Sequence, residues 1–221
     1  MAVFGSKAGF VVLLGMLTVW VPERGAIAQN VTLDGTLGTA GTLAGPTYTI
    51  RQTDGTTLGN NLFHSFGRFN LNVGEIANFE SAASVRNILA RITGGSPSSI
   101  DGILQVSGST ANLFLMNPQG MLFGRNARLN VGGSFVATTA HAIQFGNQGS
   151  FSATSALPLP LLTVNPSALV YNQRMAAPIQ TTSALLQVPD GQSLLLVGGN
   201  VLLDGSTLAA LGGFVELGTD D

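Results

Sequence analysis

Apolar positions along the chain come in short runs, several of them alternating with polar ones: TYTI (47–50), FNLNV (69–73), ILQV (103–106), NLFLM (112–116), MLF (121–123), ARLNV (127–131) and SFVAT (134–138). Gly, Asn, Ser or Pro separates one run from the next. A period of two over so few residues predicts strands, and turn residues at such close spacing predict an all-β chain. The segment SVRNILARI (84–92) fits two templates. Val85, Ile88, Leu89 and Ile92 have helical spacing, whereas Ile88, Ala90 and Ile92 alternate as a strand does. The strand reading is preferred, because strands surround the segment and TGGSPSS closes it as a turn.

A weak internal repeat points to the architecture. LLLVGGNVLLDG begins at Leu194, and the same Gly-apolar-apolar rhythm returns in GFVELG from Gly213, so Leu195–Gly198 and Phe214–Gly218 lie about 19 residues apart. Three short strands with a small residue at each corner make a coil of about that length. Such coils bury their apolar face only by stacking, which is the signature of a solenoid. ALPLPLLTVNPSAL (156–169) interrupts the rhythm. Its Pro158 and Pro160 exclude a central strand and predict a loop or covering hairpin outside the stack.

Composition agrees with this picture and removes some functions from it. Charged residues are 9% of the chain, against about 25% in ordinary soluble proteins. The apolar share of 45% supplies a core, and 29 glycines supply corners. A net charge of −2 implies neither nucleic acid nor an anionic membrane surface as partner. There is no cysteine, so stability rests on the core and the backbone ladders. Residues 1–28 read as a secretory signal for the Sec machinery: Lys7 gives the positive start, AGFVVLLGMLTVWV (8–21) the apolar stretch, and Ala26-Ile27-Ala28 the small-x-small cleavage pattern. An uncleaved membrane anchor is the alternative, disfavoured by the short apolar stretch.

Candidate chemistry is sparse. NPQG (117–120) has the composition of a type I β-turn, with Asn able to bond back, Pro presetting φ, and Gly at the fourth position; NPSA (165–168) starts the same way without the Gly. His64 and His141 are the only histidines and lack the spacing of metal ligands, so neither a catalytic nor a metal role is assigned to them. Arg86, Arg91, Arg125 and Arg128 are either a binding face or simply solvated outward positions, the second being preferred. Carboxylates are thinly spread and Lys7 is the only lysine, so no enzyme, metal or cofactor is expected.

Taken in order, SFGRFNLNVGEIANFES, VRNILARITGGSPSSIDGILQVSGSTANLFLMNPQGMLFGRNARLNVGGSFVATTA, NPSAL and VPDGQSLLLVGGNV resemble the N-terminal secretion domain of filamentous-haemagglutinin-type exoproteins. These are the TpsA partners of two-partner secretion, and the resemblance is closest to the cyanobacterial form. It implies an all-β, right-handed parallel β-helix with an N-terminal cap and extra-helical hairpins, spanning residues 29–221. It also implies a non-enzymatic recognition role: the domain engages the POTRA domains of an outer-membrane TpsB barrel, which exports the chain to the cell surface or beyond. Members of the family commonly carry an adhesive or toxic passenger, which would supply any host or cell-surface ligand. The family motif NPNGI falls on Asn117, Pro118, Gln119, Gly120 and Met121, with Gln119 for Asn and Met121 for Ile. For the second motif, NPNL, Asn78 is the match near IANFES and its Pro is missing; Asn165 and Pro166 are further candidates. The chain stops at ELGTDD in mid-coil, so the β-helix reads as truncated, with an open last rung. Two other readings stay open at this point: an outer-membrane β-barrel, disfavoured by short strands and few aromatics, and a β-helical carbohydrate-active enzyme.

Trp20 is the only tryptophan and lies within the signal. The processed protein is therefore expected to show no tryptophan emission; a tryptophan band from the exported product would mean that the signal stays attached.

Overall fold

The computed structural model describes residues 30–155, 159–172 and 176–219; the signal segment lies outside these. The chain winds as a right-handed parallel β-helix of three faces. On the first face, Asn61–Phe69, Asn87–Ile92, Asn112–Met116, Phe135–Thr138, Leu194–Gly198 and Val215–Thr219 stack in parallel in that order. The second face carries Ser98–Ile100, Met121–Phe123, Pro178–Thr182 and Asn200–Asp204. The third carries Thr47–Ile50, Ile76–Glu80, Ile103–Ser107 and Arg128–Asn130, with Leu185–Gln187 lying against the last of these. Strands pair in parallel with their equivalents one coil away, and among the described residues no face closes on itself. The barrel reading is thereby set aside.

Equivalent first-face positions recur after 26, 25 and 22 residues, then after 59 where an excursion intervenes. Leu194 sits beside Val215, 21 residues on. The C-terminal repeat is therefore two residues longer than the sequence rhythm suggested. Because the difference is even, the same side chains still point inward.

Inward rows build a dry interior. Phe66, Phe69 and Phe79 form an aromatic cluster, with Phe66 and Phe69 edge to face at 4.9 Å and Phe69 stacked on Phe79 at 6.1 Å. Phe123 meets Phe135 edge to face at 6.2 Å. Each fully buried ring contributes about 1.5–3 kcal/mol relative to exposure. On the last rung Val215 and Leu217 continue the inward rows of Leu194 and Leu196 and are 44% and 47% exposed.

The first face is buried on both sides, which explains why NILARI read ambiguously: all six residues of Asn87–Ile92 are buried. Between Thr138 and Pro178 the chain makes an excursion from the stack, in which Ser150–Ser152, Ala142–Gln144 and Ala168–Val170 form an antiparallel sheet. This excursion packs Ile143, Phe145, Phe151 and Leu162 onto the outward side chains Phe63, Leu89 and Met116. Leu159, Leu162 and Leu169 of the segment expected as a covering loop or hairpin are thus part of a second apolar core. NPSA does not turn; it runs extended into the strand Ala168–Val170, its Ser167 N–H held by the Gln144 carbonyl at 2.8 Å. Nor is FNLNV a strand. Phe69 ends Asn61–Phe69, and Leu71 rounds the corner with a single bridge to Ile100, after which Glu75 closes a turn on the Asn72 carbonyl and amide.

The free edge of the first rung is covered, as an edge strand must be to avoid pairing with other chains. Val31–Asp34 lies antiparallel on the second half of Asn61–Phe69, and Thr56–Leu58 lies antiparallel on the first half. The two covering strands meet beside His64. Its ring faces the interior between Phe66 and Phe79, fully buried, and neither nitrogen has a hydrogen-bond partner among the described residues. Gly55 passes so near that a Cβ there would lie 2.7 Å from His64 Nδ1.

Burial lowers the His64 pKa from 6.5 to about 4. The unfolded chain therefore binds a proton that the folded chain refuses, and stability falls as pH drops. The loss begins below about pH 6.5, is complete near pH 4, and amounts to about 3 kcal/mol. Urea unfolding at pH 7 and pH 4 should show this decline, and His64→Leu should remove most of it.

Candidate recognition site

The turn Asn117–Gly120 joins the first and second faces of the third rung. Its Gly120 N–H donates to the Asn117 carbonyl at 3.0 Å, closing the turn, and Gly120 has φ +105°, a conformation that favours glycine. A Cβ at Gly120 would also come within 3.0 Å of the Pro178 carbonyl on the next rung. Asn117 shows why an amide is needed. Its Oδ1 accepts the Gln119 N–H at 2.9 Å, while Nδ2 donates to the Ser96 carbonyl and to Ser98 Oγ, both at 3.0 Å. The turn is thereby fastened onto the TGGSPS corner of the rung before it.

Asn117, Pro118, Gly120 and Met121 are buried, and Gln119 alone among the five is exposed. The remaining candidates lie elsewhere. Asn78 is on the outer side of the third face, in a row of amides: Gln105 Nε2 donates to Asn78 Oδ1 at 3.2 Å, and Asn130 Nδ2 to Gln105 Oε1 at 2.9 Å. Asn165 and Pro166 are in the excursion, where Asn165 Oδ1 accepts from Asn87 Nδ2 at 3.2 Å. The fold does not gather these positions into one site.

Asn165 joins a longer ladder that the sequence reading passed over. Asn61, Asn87 and Asn112 head successive first-face strands; Asn87 Nδ2 donates to Asn61 Oδ1 at 2.8 Å, and Asn112 Nδ2 to Asn87 Oδ1 at 3.0 Å. Asn61 Nδ2 in turn reaches the carbonyls of Leu162 and Val164 at 3.0 and 2.7 Å, tying the excursion down. The signal was available in NLFHSF, NILARI and NLFLM, three runs that each begin with Asn.

Arg91 corrects the reading of the arginines as solvated or surface-binding. Arg86, Arg125 and Arg128 are exposed, but Arg91 is 2% exposed. It faces outward from the first face into the junction of cap and excursion. A bay of about 440 Å³ opens there, lined among others by Asp34, Thr36, Arg91, Thr93 and Gln119. Burial works to raise the Asp34 carboxyl, but hydrogen bonds from Ser65, Thr36 and Thr93 outweigh it and hold the group below its ordinary value. The carboxylates of Glu75 and Asp101 are likewise engaged: Glu75 accepts from Asn30, Tyr48 and Asn72, and Asp101 from Asn126. His141 is buried with its Nδ1 toward the Asn172 N–H at 3.4 Å. Among the described residues, no three His, Cys, Asp or Glu stand close enough to hold a metal ion.

Coils of this kind, capped at the N-terminal edge and covered on one face by an excursion, define a β-solenoid. The sequence matches the TPS secretion domain over residues 29–221, and the chain belongs to that family. It is thus a domain of a secretion pathway that pairs an exported protein with a TpsB-type transporter. No curated protein matches the sequence closely enough to add a relative.

Asn117→Ala should cost about 2–3 kcal/mol, because it removes the three hydrogen bonds of a buried amide, one of them to the buried Ser98 hydroxyl. Gln119→Ala should change stability by less than about 0.5 kcal/mol. Chemical denaturation of the two variants beside the parent checks both.

Proposed function

We propose that this domain is the non-enzymatic recognition and folding-nucleation module of a two-partner-secretion exoprotein, read by the POTRA domains of an outer-membrane TpsB barrel while still unfolded. The supporting observation is the burial of Asn117, Pro118, Gly120 and Met121 in the folded chain. A folded domain offers a partner little of this motif beyond Gln119, whereas an extended chain offers all of it. Such a chain can add to a sheet edge through main-chain hydrogen bonds, with alternate side chains giving selectivity.

Release then follows from folding. Asn117 gains its buried partners only when the TGGSPS corner and the rung after it are in place, and those contacts compete with the transporter for the same atoms. Outside the cell, the capped first rung templates the second, since adding a rung to an existing stack is easier than starting one. The signal segment delivers the chain to the Sec machinery, the product reaches the surface or the medium, and an adhesive passenger is the cargo this arrangement suits.

Binding of the cognate POTRA domains to the chain in urea and to the refolded chain tests the reading. The unfolded chain should bind, Asn117→Ala with Pro118→Ala should weaken that binding and export by about tenfold or more, and the refolded domain should bind poorly. Equal binding by folded and unfolded chains, or undiminished export of the double variant, would overturn it.

A further inference from the structure

Arg91 lies beside Ser65 of the rung before and Met116 of the rung after, and its guanidinium gathers contacts from three distant parts of the chain. Nε–H donates to Ser65 Oγ of the first rung at 2.8 Å. Nη2–H donates to Thr36 Oγ1 of the cap at 2.9 Å, and Nη1–H donates to the Ser152 carbonyl of the excursion. The ring of Phe151, also in the excursion, lies 4.8 Å from the guanidinium carbon. Thr36 precedes Arg91 by 55 residues and Ser152 follows it by 61.

The two hydroxyls carry the contact onward. Ser65 Oγ–H donates to Asp34 Oδ2 at 2.6 Å, and Thr36 Oγ–H donates to Asp34 Oδ1 at 2.7 Å. Each hydroxyl thus gives its single proton to the carboxylate and accepts one from the guanidinium, so that Asp34 and Arg91 are joined through two parallel relays. Thr93 Oγ–H adds a further donor to Asp34 Oδ2 at 2.7 Å. A buried cation that loses a partner is costly to leave uncompensated. The cap supplies the compensating charge and the excursion supplies the carbonyl and the ring, so each makes the site more favourable for the other.

We propose that Arg91 is a latch that couples closure of the N-terminal cap to docking of the excursion, neither segment holding at full strength until both engage the guanidinium. Arg91 is a positioning residue in this role, acting through Thr36, Ser65 and Ser152. If the chain emerges N-terminus first, as export by the proposed route implies, the cap stays loosely held until the excursion arrives. That consequence rests on the proposed function; the coupling itself does not.

Native-state hydrogen exchange on the purified full-length processed chain tests the latch without any transporter, so its failure and the failure of the export reading are distinguishable. Thr36→Val cuts one relay within the cap. It should lower amide protection in Ala142–Gln144 and Ser150–Ser152, which it does not touch, by about tenfold. Thr36→Ser, which keeps the hydroxyl, should restore that protection, and Phe151→Leu should loosen Val31–Asp34 in return. Arg91→Met should loosen both segments together while Asn112–Met116 stays protected. Loss confined to the cap in Thr36→Val, or equal loss with Ser and Val at position 36, would overturn the proposal even if Arg91→Met fails to fold.

Discussion

Parallel register is the constraint on which the rest of this structure depends. Each residue in a coil sits beside its equivalent one coil earlier, at the spacing of hydrogen-bonded strands, about 4.8 Å. A row of equivalent positions must therefore be compatible with itself. Inward rows meet this with aliphatic and aromatic side chains, and corner rows meet it with asparagines whose amides both donate and accept, as Asn61, Asn87 and Asn112 do. The arrangement is self-consistent only when every coil holds its place, which makes the ends and the interruptions of the stack the positions that need special treatment.

Two such treatments shape this domain. The cap pairs antiparallel with the first rung and shields its edge, and the excursion turns an otherwise exposed face into a second core around Phe63, Leu89 and Met116. Both are held by polar contacts that begin on the stack itself. The asparagine ladder secures the excursion at one end of the first-face strands, and the Arg91 cluster secures it at the other. His64 lies where the two capping strands meet, as a neutral imidazole in an apolar interior. The capped end thus combines much aromatic packing with a group that penalises folding in acid.

The proposed recognition motif belongs to the same logic. NPQG is a corner whose asparagine is consumed by the preceding corner and whose glycine is crowded by the following rung. Its residue types are those that stacking requires, so that the partner proposed to read them would compete with the fold. Under the proposed function, such a motif would link recognition of the unfolded chain to its release without any moving part in the folded domain.

The sequence by itself determined the all-β class, the strand at NILARI, the corner at NPQG and the presence of a stacked repeat, because these follow from side-chain alternation and turn chemistry within a few residues. Even the asparagine ladder was legible, in three runs with the same opening. What only the tertiary structure decided were contacts between segments far apart in the chain. Arg91 reads as one more polar residue in a strand, and nothing local announces that Thr36, Ser65 and Ser152 converge on it. The same holds for the exposure of the motif: alternation predicts which side of a strand a residue takes, but whether that side meets water depends on what folds over it. For the first face, that cover arrives from an excursion whose prolines mark it, locally, as a mere interruption.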